Sequence, residues 1–426
     1  MFAVLIRFRL ANHRSIRDEH ELSLIATEFD EGTARDTGLR HRGRNVSVQP
    51  VVGIFGANAS GKSNLLSGFR FMRDAVRGSF ADWAKSPGVV PRQPFKLGRS
   101  SRRETTLFEV DLVLGSDPVR YTYGFELSDE RVEAEWLHAY PHGRRNVWFD
   151  READRPESEG GEFVFKGEGF RGEREAFVKL TRPNALFLSV GATLNDPQLS
   201  PVHRWFFGTW PVIPERDLDD RLAWTRLLLT RSDHAQSRNR RITRLLQAAD
   251  LGVSRFDLDE RTGEIRLWHR TADGGEAPLD FDTEESLGTH AWFAFLGPML
   301  TVLEEGSVLL VDELDSSLHP TLAAEVVRVF QDPTSNPHGA QLIFTTHDAT
   351  LLGSAVLDRP LSRDQVWITV KQGSGETELY PLTDAKPRKE ESLERGYLRG
   401  RYGGVPRVTA GRIARELSWE ETEATA

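Results

Sequence analysis

The segment Gly56-Ala57-Asn58-Ala59-Ser60-Gly61-Lys62-Ser63 constrains this chain more than any other. It reads G-x-x-x-x-G-K-S and follows Val51-Val52-Gly53-Ile54-Phe55, a short apolar run with strand character. After it, Leu65, Leu66, Phe69, Met72 and Val76 recur on one face at helical spacing. Strand, glycine-rich loop and helix in that order are what a phosphate-binding loop requires. Amides of the loop and of the helix N-terminus converge on a phosphate, and small side chains leave the approach open. The expected nucleotide-binding residues are Gly56, Asn58, Ala59, Ser60, Gly61, Lys62, Ser63 and Asn64. Lys62 reaches the β- and γ-phosphates, Ser63 holds Mg2+, and Asn58 touches the γ-phosphate or the attacking water.

A chain of 426 residues exceeds one average domain, so a main domain with a lobe or insertion is expected. No apolar run of about 18 residues occurs, which speaks against a membrane span. The first residues, Met1-Phe2-Ala3-Val4-Leu5-Ile6-Arg7-Phe8-Arg9, set arginines inside an apolar stretch and read as a strand, not a signal peptide. With no cysteine there is no disulfide framework and no thiolate-ligated metal, so a cytoplasmic location is expected. The net charge of −9 excludes general polyanion binding, and any nucleic-acid contact needs a local patch.

Four regions are expected. Residues 1–200 form an N-lobe with the phosphate loop and an antiparallel β-subdomain, including a hairpin over the first 30 residues and a strand pair over 107–127. Residues 201–250 form a helical insertion, residues 251–395 a C-lobe, and residues 396–426 a tail. The fold class is α/β with a mixed sheet. The densest basic run, Arg231 to Arg244, is a nucleic-acid or acidic-partner contact, or a solvated face.

The C-lobe carries the second half of a nucleotide site. Val308-Leu309-Leu310-Val311 reads as a strand ending in Asp312-Glu313, which suits a Walker B motif. Asp312 would organise the Mg2+ shell, and Glu313 would orient or deprotonate water. Leu314-Asp315-Ser316-Ser317-Leu318-His319-Pro320 follows, with Pro320 placed for the first turn of a helix. A further strand, Gln341 to Thr346, ends at His347-Asp348.

This order resembles the ABC-type ATPases, in their SMC/RecF/OLD branch. The resemblance implies that Asp315 is the D-loop aspartate and His347 the histidine that senses the γ-phosphate. The alternative for His347 is a packed or capping residue. Glu285-Ser286-Leu287-Gly288-Thr289, ahead of a helix-like run, is the candidate signature motif, with Ser286 and Gly288 offered to a partner copy's γ-phosphate. It departs from the L-S-G-G-Q form, and an ordinary helix cap is the alternative. No Q-loop glutamine is fixed, and Gln93 is a weak candidate.

Together with Asn12-His13-Arg14-Ser15, the Arg363-Asp364-Gln365-Val366-Trp367 segment and the tail from Gly396 to Pro406, these motifs resemble the RloA/AbiLi-like ATPases, relatives of the ATPase half of OLD proteins. That family implies ATP and Mg2+ as ligands and a homodimer or larger homo-oligomer closed head-to-tail. It also implies antiphage defence beside a separately encoded nuclease or toxin. The residues after Asp348 are too few for a second catalytic domain of ordinary size. The competing readings are a RecF-like DNA-repair clamp and a scaffold that holds ATP without rapid turnover.

Overall fold

The computed structural model describes residues 3–166, 169–213, 217–230, 235–249, 251–259, 261–354, 360–388, 391–406, 409 and 411–417. The expected basic run therefore falls partly outside them, since residues 231–234 are not among the described ones.

The chain opens with β1 (Ala3–Ala11) and β2 (His20–Ser23), which pair antiparallel as the hairpin expected from the alternation of Ile6, Phe8 and Leu10. A small hairpin, β3 (Arg35–His41) and β4 (Arg44–Val48), precedes β5 (Val51–Gly56). Every residue of β5 is buried, as a strand covered on both faces must be. The phosphate loop then leads into α1 (Lys62–Gly78), which buries Leu65, Leu66, Phe69, Met72 and Val76.

An antiparallel meander follows: β6 (Thr106–Leu114), β7 (Val119–Leu127), β8 (Val132–Tyr140), β9 (Asn146–Glu152) and β10 (Phe163–Val164). Helices α2 (Arg174–Leu180), α3 (Phe187–Thr193) and α4 (Leu199–Gly208) come next. Then β11 (Trp210–Val212) precedes α5 (Leu218–Thr230) and α6 (Ala235–Ala248). A small sheet of β12 (Val253–Leu258), β13 (Ile265–Arg270) and β14 (Glu276–Asp280) leads through α7 (Phe281–Glu284) into α8 (Leu287–Glu305). The remaining core elements are β15 (Val308–Val311), α9 (Leu314–Ser317), α10 (Pro320–Gln331), β16 (Gln341–Thr346), β17 (Val366–Lys371) and β18 (Thr377–Pro381). Two short tail helices, α11 (Leu393–Leu398) and α12 (Arg412–Leu417), close the described chain.

Two large sheets result. One is antiparallel with seven strands in the order β10-β9-β8-β7-β6-β1-β2. The other is mixed with six strands in the order β11-β15-β16-β5-β17-β18, parallel except for the final β17–β18 pair. One apolar cluster fills the space between the antiparallel sheet, α1, α3 and α4; a second packs α8 and α10 on the mixed sheet. Gln341 joins the two sheets. Its side-chain carbonyl accepts from the Leu5 amide at 2.7 Å, and its amide donates to the Leu5 carbonyl at 2.9 Å. Those bonds fall where β1 shifts register against β6, between Leu5 and Arg7.

Segment 201–250 is not wholly helical, contrary to expectation. Trp210–Val212 pairs parallel with Leu309–Val311, and the Val212 carbonyl accepts the Asp312 amide at 3.0 Å. Three residues with a central proline display no period, so tertiary pairing alone makes the strand. The sequence reading also passes over β3, β4, β8, β9, β14, β17 and β18.

Burial explains one internal anchor. Glu135 is fully buried and accepts from the amides of Phe187 (2.6 Å) and Leu188 (3.0 Å) and from the Tyr123 hydroxyl (3.0 Å). Its carboxylate therefore caps the start of α3, which has no side-chain cap of its own. Burial outweighs these donors and Arg151, and raises the Glu135 carboxyl above its ordinary value. The Arg363–Trp367 segment also has a structural role. Ser362 and Gln365 form a capping box, and Asp364 accepts from the Gln49 side chain and the Thr27 amide, both at 3.0 Å.

Candidate functional site

The phosphate loop sits between two parallel strands and under a helix N-terminus. Ala59 (φ 62°) and Gly61 (φ 105°) both lie in the left-handed region. A side chain at Gly61 would be strained, and its Cβ would run into Ser15 and Thr377. Those two residues hold the loop from outside. The Thr377 hydroxyl donates to the Ser60 carbonyl at 2.9 Å and meets the Ser15 hydroxyl at 2.7 Å. Asn64 donates to Ser15 at 2.6 Å, and the Ser60 hydroxyl meets that of Thr369 at 2.6 Å.

Lys62 is folded back onto the loop, donating to the Gly56 carbonyl at 2.7 Å and the Ala57 carbonyl at 3.2 Å. Burial lowers its ammonium below the ordinary lysine value, against the opposing pull of Glu313, Asp315 and Asp312. An arriving triphosphate would replace those carbonyls and pair the charge.

The Walker B segment meets the loop directly. Ser63 donates to Asp312 Oδ1 at 2.9 Å, and the buried Thr345 hydroxyl donates to the same oxygen at 2.7 Å. The Glu313 amide in turn donates to Thr345 Oγ1 at 2.8 Å. Thr345 thus orients both carboxylate-bearing residues, and Glu313 adopts a left-handed backbone at φ 51°, ψ 64°. A cleft of about 220 Å³ runs from Ser63, Asp312 and Glu313 past Arg14 to Arg70. Ser63 and Asp312 form a hard oxygen pair that fits Mg2+, with phosphate oxygens and water completing the shell. Among the described residues no cluster of three or more His, Asp or Glu side chains could hold a metal unaided. Bound there, Mg2+ would neutralise charge developing on the phosphates.

His347 and Asp315 come together as well, with Nδ1 2.8 Å from the nearly buried Asp315 Oδ2. The histidine stays half exposed at the strand end. Asn58 is exposed at the loop tip. Gln93 is brought to Arg14, accepting from its Nε at 2.6 Å. The strand that abuts Asp312 from the insertion side is β11. Ser286 caps α8 by accepting from the Thr289 amide at 3.1 Å. Together with Leu287 and Gly288 it is exposed, with no described hydrogen bond to the phosphate loop of its own chain. On α6, Arg238 is paired with Glu304 at 3.0 Å.

The sequence reading missed Thr345, Thr369 and Thr377. Thr345 and Thr369 lie on the strands flanking β5 and Thr377 on β18, and only the sheet order brings Thr345 to Asp312 and the other two to the loop. No described helix is long and apolar enough to cross a membrane.

No curated protein matches this sequence. Among solved structures, an Smc head bound to the C-winged helix domain of ScpA aligns at 13% identity, covering 90% of this chain and 99% of that one, with a TM-score of 0.45. The SMC head domain from Thermotoga maritima aligns at 13% identity, with coverage of 88% and 98% and a TM-score of 0.41. CbiO1 from Clostridium perfringens, part of the ABC transporter complex cbiONQ, aligns at 12% identity, with coverage of 93% and 95% and a TM-score of 0.30. A family model described as "AAA domain, putative AbiEii toxin, Type IV TA system" matches residues 51–353. That span begins at the strand before the phosphate loop and ends just beyond His347, well over half of the chain, and the protein belongs to this AAA-domain family of P-loop ATPases.

Proposed function

We propose that this ATPase is the sensor or scaffold subunit of a prokaryotic antiphage complex of the RloA/AbiLi kind, and that it controls a separately encoded nuclease or toxin. In this reading Asp312 and Ser63 hold Mg2+, Glu313 acts on the attacking water, and His347 with Asp315 reads the γ-phosphate. A second copy closes the site with Ser286 and Gly288. The observation that carries the reading is the exposed start of α8, where Leu287 is 80% accessible beside a serine at a helix N-terminus. Such a surface suits a partner's phosphate and a partner's apolar contact. The family's toxin–antitoxin description points toward defence.

Two measurements test it. Glu313→Gln should retain ATP and accumulate a dimer or larger assembly on sizing, whereas monomer for both proteins in ATP refutes the head-to-tail site. Co-expressed with its neighbouring gene, the chain should protect cells from phage, and Lys62→Ala should abolish protection. Protection by this chain alone would reject the effector arrangement.

A second reading, a DNA-binding clamp, draws on α1. Arg70, Arg73 and Arg77 follow at helical spacing on one face. ATP-dependent DNA affinity that falls steeply with salt supports that reading, and salt-insensitive or absent binding rejects it.

A further inference from the structure

The tail motif from Gly396 to Pro406 makes none of the contacts described for the nucleotide site, yet it touches two segments of that site. Helix α11 packs on the turn Ala349–Leu352, immediately after His347-Asp348. Leu393 and Tyr397 of that helix share one buried cluster with Leu351, Leu352 and Phe55. The Tyr397 ring meets Phe55 edge-on, with centroids 5.9 Å apart, so it rests on the strand that feeds the phosphate loop.

Beyond α11 the chain doubles back through Gly403 and Gly404, both at φ 72°. The Tyr397 hydroxyl donates to the Gly404 carbonyl at 3.0 Å in a buried setting. A Cβ on Gly404 would lie 3.0 Å from Ile368 Cγ2, 3.2 Å from the Tyr397 ring and 3.4 Å from Gly56 Cα. The backbone of the turn therefore lies against the first glycine of the phosphate loop, in a conformation that a larger residue resists. Farther out, a cavity of about 450 Å³ separates Val405 and Pro406 from Ala57, Asn58 and Ser60. The tail presses on the root of the loop and leaves its tip room to move.

We propose that Tyr397 and Gly404 are positioning residues of the ATPase, joining the segment behind His347 to the root of the phosphate loop. A loop whose amides converge on one point binds phosphate more tightly when its base is already fixed. The tail supplies that fixing from the side opposite α1. This coupling belongs to ATP binding itself, so its failure would leave the defence reading standing.

The control lies within the same tail. Tyr380 also donates to a tail carbonyl, that of Tyr402 at 2.9 Å, without resting on Phe55. Tyr397→Phe keeps the ring and removes one hydroxyl. It should weaken the Kd for a fluorescent MgATP analogue about tenfold, the worth of one buried hydrogen bond. Tyr380→Phe should stay within about twofold of wild type in Kd while lowering the melting temperature as much as Tyr397→Phe does, since each removes one hydrogen bond to a tail carbonyl. Gly404→Ala should follow Tyr397→Phe in direction, raising KM more than it lowers kcat. Equal weakening in both tyrosine variants, or unchanged affinity in Tyr397→Phe, would overturn the assignment and leave the tail a plain stability element.

Discussion

Removing one hydroxyl, that of Thr345, should disable hydrolysis while leaving ATP binding nearly intact. Thr345→Val keeps the branched shape of this fully buried side chain and removes its hydroxyl, so the effect is that of the lost hydrogen bonds. Two interactions are lost. The bond to Asp312 Oδ1 at 2.7 Å has an ionised acceptor and contributes about 2 kcal/mol. The Glu313 amide, now bound at 2.8 Å, is left without its acceptor at a cost of about 1 kcal/mol. That amide belongs to a residue held at φ 51°, a region that a non-glycine residue occupies only when its surroundings enforce it. Without the hydroxyl the Glu313 backbone is free to relax and carry its carboxylate away from the cleft. If about 2 of these 3 kcal/mol appear in the transition state, kcat falls about thirtyfold. KM should change less than about threefold, because Lys62 and the loop amides are untouched. Phosphate release measured across ATP concentrations reads both constants. Thr345→Ser keeps the hydroxyl and should retain kcat within a few fold. A valine variant with wild-type kcat, or with raised KM alone, would refute the reasoning.

Two further predictions concern the scaffold. Glu135→Ala strips the cap from α3 and leaves the Tyr123 hydroxyl and two buried amides without an acceptor, so unfolding in urea should lose about 3–5 kcal/mol; a loss below about 1 kcal/mol would contradict the capping role. His13, buried beside Arg14, has its imidazole pushed down to about 3. Its folded-state value lies below the unfolded one, so the unfolded chain takes up the proton first, and stability is lost as pH falls below about 6.5. Between pH 7 and pH 5.5 the expected loss is on the order of 1 kcal/mol. His13→Phe retains a ring between Phe71 and Phe108 and should flatten that slope, whereas an identical slope in both proteins would exclude His13 as its source.

The phosphate loop, β15 with Asp312-Glu313, and β16 leading into His347 were legible because each couples a local pattern to its own element. An apolar strand of four to six residues ends in the polar group that the fold displays at its C-terminal edge. The proline at the start of α10 was legible for the same reason, since its fixed φ and missing amide suit only the first turn. Trp210–Val212 was not, because a three-residue edge strand exists only through its partner. Thr345, Thr369 and Thr377 escaped notice because a threonine in a strand is ordinary until the sheet order is known. The tail was visible as a motif and opaque as chemistry, since Tyr397 and Gly404 act on Phe55 and Gly56, more than three hundred residues earlier.

Gln341 gives β16 a mechanical meaning. Its side chain imitates a peptide group, donating and accepting with Leu5 at once, which an aspartate or glutamate could not do and an asparagine would not reach. One end of a six-residue strand is therefore latched to the antiparallel lobe, while the other end brings Thr345 to Asp312 and His347 to Asp315. At about 3.3 Å per residue this is a rod of roughly 20 Å. A small axial slip at the histidine end would have to be absorbed at the Leu5 joint, where β1 already breaks register. The seven-stranded antiparallel lobe is geared to the strand that carries His347 at its end.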